Sequence, residues 1–228
     1  MPDLPYWLGK TLFDYTNAIE ATPENPVLYI YRGGAYLSQG EYDKAIADYS
    51  KAIELYPRFA NAYCSRGRAY LETGEFDRAI ADYNKTIELD PKNHMAYTNR
   101  GLSYYHKGEY DKAIGDYTKA IDIDLGFAMV YSGRGSAYVK KGEYNKAIAD
   151  YTKAIELEQQ DTTYYFNRGL AYHNKGEYDK AIADYTKAIE IDPKNATAYH
   201  LRGEAYKNKG QADNAISDYN KAKELGYN

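Results

Sequence analysis

The sequence is poor in the features that mark several large classes of protein. Cys64 is the single cysteine among 228 residues, so no intramolecular disulfide can form and nothing indicates an oxidising compartment. No apolar run approaches the roughly 20 residues that a membrane span requires. Residues 1–15 lack the basic and continuous apolar segments of a secretory signal. These absences predict a cytoplasmic protein without a membrane span.

The sequence also lacks an excess of positive charge. It holds 29 Lys and Arg against 33 Asp and Glu, which gives a formal net charge of -4. A general nucleic-acid binder carries a basic face, and this balance does not supply one. The charge therefore favours partners other than nucleic acid.

The sequence does contain one segment that recurs many times. "GEYDKAIADYTKAIEIDP" (176–193) is closely matched by "GEYDKAIADYSKAIE" (40–54) and "GEYNKAIADYTKAIEL" (142–157). The shared glycine recurs every 34 residues, at Gly40, Gly74, Gly108, Gly142, Gly176 and Gly210. A fixed period of this length is typical of a solenoid, in which each repeat contacts its neighbours.

The period divides the chain into a partial repeat and six tandem repeats. Residues 1–25 form the partial repeat, a lone second helix predicted over 8–22. The six repeats are predicted at 26–59, 60–93, 94–127, 128–161, 162–195 and 196–228.

Each repeat is predicted to fold as two helices. In the fifth repeat, Tyr165, Gly169 and Tyr172 follow the helical spacing of a buried stripe. Gly176 suits the left-handed conformation that ends a helix. Apolar residues continue at helical spacing from Tyr178 to Ile189, and Pro193 is expected to stop the second helix. The pattern predicts an all-α chain.

These residues resemble a known family. The order Tyr165-x2-Arg168-Gly169-x2-Tyr172, Ala181-x3-Tyr185, Pro193 is similar to the tetratricopeptide repeat (TPR), whose pattern is Trp-x2-Leu-Gly-x2-Tyr, Ala-x3-Phe, Pro. The resemblance implies a right-handed superhelical solenoid of stacked helix-turn-helix repeats. Tyrosine stands in place of the Trp and the Phe, and we interpret most of the 29 tyrosines as core residues. The closing proline is absent at Leu125 and Gln159.

Arginine replaces the family's leucine in every repeat, at Arg32, Arg66, Arg100, Arg134, Arg168 and Arg202. Aspartate recurs as strictly, at Asp48, Asp82, Asp116, Asp150, Asp184 and Asp218. We predict an Arg–Asp ladder that ties first helices to second helices, because a charge on a packed stripe needs a partner. Sequence leaves open whether each arginine meets the aspartate of its own repeat or of a neighbour. The alternative is a row of arginines that binds RNA.

No residue set with the spacing of a catalytic or metal site is present. The four histidines are scattered, with no i, i+4 pair among them and no cysteine partner, and no histidine recurs beside Cys64 to form a nucleophile pair. We therefore expect no catalysis, no metal and no cofactor.

The resemblance implies that first helices line a concave groove through the second, fifth, ninth and twelfth positions of each repeat. The predicted peptide-binding residues are Val27, Ile30, Leu37, Asn61, Cys64, Leu71, Met95, Thr98, Leu102, Tyr105, Met129, Ser132, Val139, Phe166, Leu170 and His173. The same positions also hold Gly34, Arg68, Ser136, Thr163, Thr197, His200, Glu204 and Lys207. The alternative is that these residues only pack against adjacent first helices.

The predicted function is a non-enzymatic protein-interaction scaffold whose groove binds a peptide or helix of another protein. Two alternatives stay open. One is a structural protein that self-associates through its N-terminal face, which carries Trp7 and Phe13. The other is an RNA-binding helical repeat.

Overall fold

The computed structural model describes residues 11–227, which contain thirteen α-helices and no strand. The chain divides into two compact units, Met1–Ile123 and Asp124–Asn228, called here the N-terminal unit and the C-terminal unit. The prediction of an all-α chain is confirmed for the described residues. Trp7 lies outside them.

The N-terminal unit contains helices α1 to α7. They are α1 (Leu12–Ala21), α2 (Pro26–Ser38), α3 (Tyr42–Leu55), α4 (Ala60–Glu72), α5 (Phe76–Leu89), α6 (His94–His106) and α7 (Tyr110–Ile123). Each of α2, α4 and α6 packs on the second helix that follows it, and α1 packs on α2. Residues 8–10 of the lone helix predicted over 8–22 lie outside the described residues, and α1 begins at Leu12, after a capping box formed by Thr11 and Asp14.

The C-terminal unit contains helices α8 to α13. They are α8 (Ala128–Lys140), α9 (Tyr144–Leu157), α10 (Thr162–Asn174), α11 (Tyr178–Ile191), α12 (Ala196–Asn208) and α13 (Ala212–Glu224). Each predicted repeat thus holds two helices, and the repeat boundaries themselves stay a prediction.

A glycine turn connects the two helices of each pair. At the end of α10, Gly176 has a φ of 81°, a left-handed conformation that a side chain would strain. Its amide donates to the carbonyl of His173, and the next amide, of Glu177, donates to the carbonyl of Tyr172. These two bonds form the Schellman motif that satisfies carbonyls at a helix end. The predicted role of Gly176 is confirmed.

Proline is not required where the second helices end. Helix α11 ends at Ile191, two residues before Pro193, as expected from the steric restriction before proline. Helices α7 and α9 end at the same position of the repeat, although Leu125 and Gln159 replace the proline there. The end of α11 before Pro193 agrees with the predicted role of that proline, but proline is not required at the ends of α7 and α9. Helix ends recur at the same register with or without it.

The core consists of second-helix tyrosines packed against small residues. Tyr49, Tyr83, Tyr117, Tyr151 and Tyr185 are at most 2% exposed. Each ring lies against the glycine of the first helix, and a Cβ added at Gly169 would lie 2.9 Å from Cε1 of Tyr185. Glycine is therefore the residue that lets a full aromatic ring enter the interface.

The interpretation that most tyrosines are core residues was too broad. At the first-helix position, Tyr29 and Tyr131 are buried, whereas the other four rings are only half-buried. These rings lie beside the ladder arginines, with Arg168 Cζ 5.9 Å from the ring centroid of Tyr165. The first-helix tyrosines thus pack against guanidinium groups, a cation–π arrangement, as well as against the core.

The predicted Arg–Asp ladder is present, and each arginine meets the aspartate of its own repeat. Arg168 Nε donates to Asp184 Oδ2 at 2.8 Å and Nη2 donates to Oδ1 at 2.8 Å. The remaining guanidinium nitrogen, Nη1, donates to Thr152 Oγ1 on the preceding second helix at 3.0 Å. One arginine therefore joins three helices, because its planar fork supplies several donors in fixed directions.

The same arrangement recurs through both units. The Nε–Oδ2 distances in the six pairs are 2.7–2.9 Å. Third contacts from Nη1 reach Thr16, Ser50, Asn84, Thr152 and Thr186. The aspartates are buried and the arginines half-buried, so each pair is mostly removed from water.

We predict that Asp184→Asn lowers the free energy of unfolding by about 2–3 kcal/mol, because it leaves the half-buried Arg168 charge uncompensated. Glu190→Gln is the matched control, since Glu190 pairs with Lys187 on the exposed surface. That change is expected to cost less than about 0.5 kcal/mol. Urea unfolding followed by circular dichroism measures both. Equal losses in the two variants would contradict a structural role for the ladder.

We predict opposite effects for alanine at two helical glycines. Gly115→Ala raises the free energy of unfolding by about 0.5–1 kcal/mol, because Gly115 is exposed, has open space around it and stands where other repeats carry alanine. Gly169→Ala lowers it by about 1–3 kcal/mol, because the new methyl group overlaps the Tyr185 ring. Thermal unfolding compares the two variants, and stabilisation by both would refute the packing described for Tyr185.

Candidate functional site

The predicted groove positions lie on the first helices of the two units. In the N-terminal unit they lie on α2, α4 and α6, which are neighbours in the fold. In the C-terminal unit they lie on α8, α10 and α12, which also follow one another. Each unit therefore places its predicted groove positions on successive first helices.

The N-terminal unit has a pocket of about 430 Å³ on this face. Its lining residues are Ile30, Tyr31, Gly34, Leu37, Tyr49, Cys64, Ser65, Arg68, Met95 and Asn99, and we call this set the groove pocket. Four predicted peptide-binding residues, Ile30, Leu37, Cys64 and Met95, are brought together here. The volume is at the lower end of the roughly 300–1,000 Å³ typical of ligand pockets, so the pocket fits a few side chains.

The groove pocket also contains residues that the sequence analysis missed. Tyr31, Ser65 and Asn99 occupy the sixth position of three successive repeats. The sixth position lies four residues after the second and three before the ninth, so all three positions share one helix face. Helical spacing alone was therefore a sufficient signal for these residues.

Other predicted residues of the N-terminal unit lie on the same helices outside the pocket lining. Val27, Leu71, Leu102 and Tyr105 are half-buried and Asn61 is exposed. Leu71 packs against the buried cluster around Tyr70 and Tyr83, as the packing alternative expects. The pocket thus takes only part of the predicted set.

Two predicted residues are not available at the surface. Thr98 and Ser132 are each 8% exposed. The hydroxyl of Thr98 donates to the carbonyl of His94 one turn earlier, which satisfies it within α6. We therefore leave both residues out of the proposals below.

The predicted residues of the C-terminal unit make separate contacts. Phe166 lies 6.0 Å from the Tyr185 ring, and His173 Nε2 lies 3.1 Å from Asn208 Nδ2. Leu170 and Val139 are half-buried, and Met129 is 65% exposed. In this unit residues Gly142–Lys146, at the turn and the start of α9, line a separate depression of about 300 Å³ together with Lys175, and it contains none of the predicted residues.

The floor of the groove pocket is neutral. Burial raises the pKa of the Cys64 thiol to about 11, so the thiol is protonated at neutral pH. Burial also raises the pKa of Tyr49 to about 12, and the Ser65 side chain is its hydrogen-bond partner. A protonated thiol is a weak nucleophile and a poor metal ligand, so this floor offers apolar contact and hydroxyl groups.

Second-helix tyrosines differ in how their hydroxyls are satisfied. The Tyr151 hydroxyl lies 3.0 Å from Ser136 Oγ, at the ninth position of the same repeat. The hydroxyls of Tyr83 and Tyr185 are buried without a hydrogen-bond partner among residues 11–227. Leu170 occupies in the Tyr185 repeat the position that Ser136 occupies in the Tyr151 repeat. A serine at the ninth position thus supplies the partner of Tyr151, whereas the partner of Tyr49 is Ser65 at the sixth position of the next repeat.

Within residues 11–227, no group of three or more His, Cys, Asp or Glu side chains is arranged to hold a metal ion. None of the helices described above is both long enough and apolar enough to cross a membrane.

Comparison with protein families decides the relationship. A model described as "TPR repeat" matches residues 33–74, 135–176 and 171–210, and models described as "Tetratricopeptide repeat" match residues 64–124 and 196–225. The chain belongs to the tetratricopeptide repeat family. No curated protein matches it. The predicted resemblance and the predicted repeat-solenoid fold are therefore confirmed.

Solved structures of TPR proteins are similar to this TPR chain. MamA is 34% identical with a TM-score of 0.69, over 73% of this chain and 91% of that one. YrrB, described as a TPR protein with an unusual peptide-binding site, is 28% identical with a TM-score of 0.68, over 78% of this chain and 92% of that one. A TPR protein from Parabacteroides merdae is 24% identical with a TM-score of 0.71, over 95% and 86%, and supports the fold alone.

We predict that Cys64 reacts with iodoacetamide at pH 8 about 100-fold more slowly in the folded TPR chain than in urea, because its raised pKa removes most of the thiolate. Cys64 is the single cysteine, so mass spectrometry of the alkylated chain reports on it alone. Equal rates in the two conditions would show an accessible, ionised thiol and contradict the neutral floor.

Proposed function

We propose that this TPR chain is a non-enzymatic protein-interaction scaffold that binds a peptide or helix segment of another protein in the groove of its N-terminal unit. The observation that carries the proposal is the groove pocket, in which residues of three successive first helices share one concave space. A ligand chain that lies across α2, α4 and α6 contacts all of them at once.

The chemistry of the pocket supports a peptide ligand. Ile30, Leu37 and Met95 supply apolar surface, and Met95 is 52% exposed with a flexible thioether side chain that adapts to different partners. Ser65 and Asn99 add polar groups that can bond to a peptide backbone. The similarity to YrrB, a TPR protein with a peptide-binding site, supports the same kind of ligand for this chain.

The distribution of constant and variable residues also supports a scaffold. The ladder, the turn glycine and the second-helix tyrosine recur in the repeats, whereas groove positions differ from one repeat to the next. Repeated residues build the fold and changing residues select a ligand. The absence of a residue set for catalysis in the sequence agrees with a binding role.

RNA binding is less well supported. The ladder arginines, which would form the row of cations, are each held by a buried aspartate. An RNA ligand needs several free cations because its affinity comes largely from phosphate contacts.

Self-association is a second candidate function, and one observation favours it. Phe13 on α1 is 72% exposed, and α1 lies at the first described end of the N-terminal unit. An exposed aromatic side chain on a terminal helix can pack against a second copy. Self-association predicts a mass that rises with concentration in sedimentation velocity, and Phe13→Glu would remove that rise.

Selection of peptides on the full chain tests the proposed function. We expect a random decapeptide phage library to yield enriched peptides on the wild-type chain and none on Met95→Glu, because the new charge lies in the groove pocket. Ile216→Glu is the matched control, since Ile216 on α13 is also exposed (56%) and lies outside the pocket. Circular dichroism establishes that each variant is folded. Equal enrichment on all three chains would place recognition elsewhere.

A further inference from the structure

Arg68 differs from the ladder arginines in having no acidic partner. It lies on α4 at the ninth position of its repeat, where the preceding repeat has Gly34. The six ladder arginines are each paired with an aspartate. Arg68 is exposed and forms no ion pair with a carboxylate of residues 11–227. Its positive charge is therefore available to a ligand.

Arg68 is one of the residues that line the groove pocket. Arg68 shares the lining with Ile30 and Leu37 on α2 and with Met95 on α6. Its charge reaches the pocket floor, where it opposes the larger effect of burial on the pKa of Tyr49 and of Cys64. A cation with apolar groups on two sides is matched by a ligand that combines a carboxylate with apolar side chains.

The nearest carboxylate on the same helix does not neutralise Arg68. Glu72 lies one turn further along α4 and is exposed, and the two side chains form no ion pair. A cation preceding an anion at i, i+4 is the less favourable order on a helix. A ligand carboxylate therefore competes with water for Arg68 instead of displacing an internal partner.

We propose that Arg68 makes the groove pocket selective for peptide segments in which an acidic side chain lies within about three residues of a large apolar side chain. The inference rests on the proposed function and names the class of segment that the groove accepts. The Arg68 guanidinium group donates two hydrogen bonds to the ligand carboxylate, in the same bidentate arrangement that each ladder arginine makes with its aspartate. The apolar side chain packs against Ile30, Leu37 and Met95.

The acid is an internal side chain of the ligand. The pocket that Arg68 lines also has apolar residues from α2 and from α6, so a ligand chain that crosses the pocket past Arg68 gains contacts on both sides. A chain that ends at Arg68 with its terminal carboxylate gains contacts on one side only. A phosphate backbone matches the site poorly, because a single free cation supplies one phosphate contact.

The experiment repeats the peptide selection on wild type, Arg68→Gln and Arg58→Gln. Arg58 is an exposed arginine in the turn before α4 and lies outside the pocket lining, so its variant controls for loss of one positive charge. The most enriched wild-type peptide is then synthesised in three forms. The first form keeps its acidic residue and has an amidated C-terminus. The second form has the matching amide residue, Asn or Gln, in place of the acid and also has an amidated C-terminus. The third form has the amide residue and a free C-terminal carboxylate.

We expect peptides selected on wild type and on Arg58→Gln to be enriched in an acidic residue near an apolar one, and peptides selected on Arg68→Gln to keep only the apolar residue. By fluorescence anisotropy, replacing the ligand's acid by its amide should weaken binding about tenfold on wild type. The same replacement should change binding less than about twofold on Arg68→Gln, which isolates the pairwise contact.

Five results would overturn the inference. Selected peptides without an acidic residue, or unchanged discrimination on Arg68→Gln, would remove Arg68 from recognition while the proposed function stands. Tight binding of the form with only a terminal carboxylate would assign the site to chain ends. Binding of an oligouridine decamer that Arg68→Gln abolishes, without an effect on peptides, would assign Arg68 to RNA. Failure to enrich any peptide on any chain would overturn the proposed function as well.

Discussion

The bidentate bond between a first-helix arginine and a second-helix aspartate is the interaction on which the rest of the structure depends. It fixes the two helices of a repeat, and its third donor reaches the preceding second helix, as Arg168 reaches Thr152. Breaking one pair leaves a half-buried charge, so the cost falls on three helices together. The tyrosine that follows each aspartate then packs against a first-helix glycine, and the interface closes with Tyr185 fully buried.

Each ladder arginine is paired with an aspartate of its own repeat. Its charge is therefore not free to bind a ligand. In the proposed function, recognition falls to the positions that change between repeats, and several of these positions in the N-terminal unit line the groove pocket. Arg68 shows the consequence most clearly. It lies two residues after the ladder arginine Arg66. Arg66 is paired with Asp82, whereas Arg68 has no ion-pair partner among residues 11–227. Two arginines close in sequence thus serve different purposes, one structural and one available to a ligand.

The sequence predicted the regular parts of this molecule because they repeat. The helix pairs, the left-handed turn at Gly176 and the presence of an Arg–Asp ladder all followed from periodic residues. The choice of aspartate could not follow, because each arginine lies near second helices both before and after it, and packing geometry decides between them. The end of α11 agrees with the role predicted for Pro193, but α7 and α9 end at the same register without a proline, which the sequence pattern alone did not predict. Thr98 and Ser132 were misplaced because burial depends on the neighbouring helix as well as on helix face.

The most direct test of this account is the exchange of arginine Nε–H protons, measured by nuclear magnetic resonance on the full chain with assignments from single substitutions. The account predicts slow exchange for the six ladder arginines, whose Nε–H groups donate to buried carboxylates, and fast exchange for Arg68 in the free chain. Addition of a selected acidic peptide should slow Arg68 alone. Fast exchange across the ladder, or a protected Arg68 without ligand, would contradict the division between structural and ligand-binding arginines.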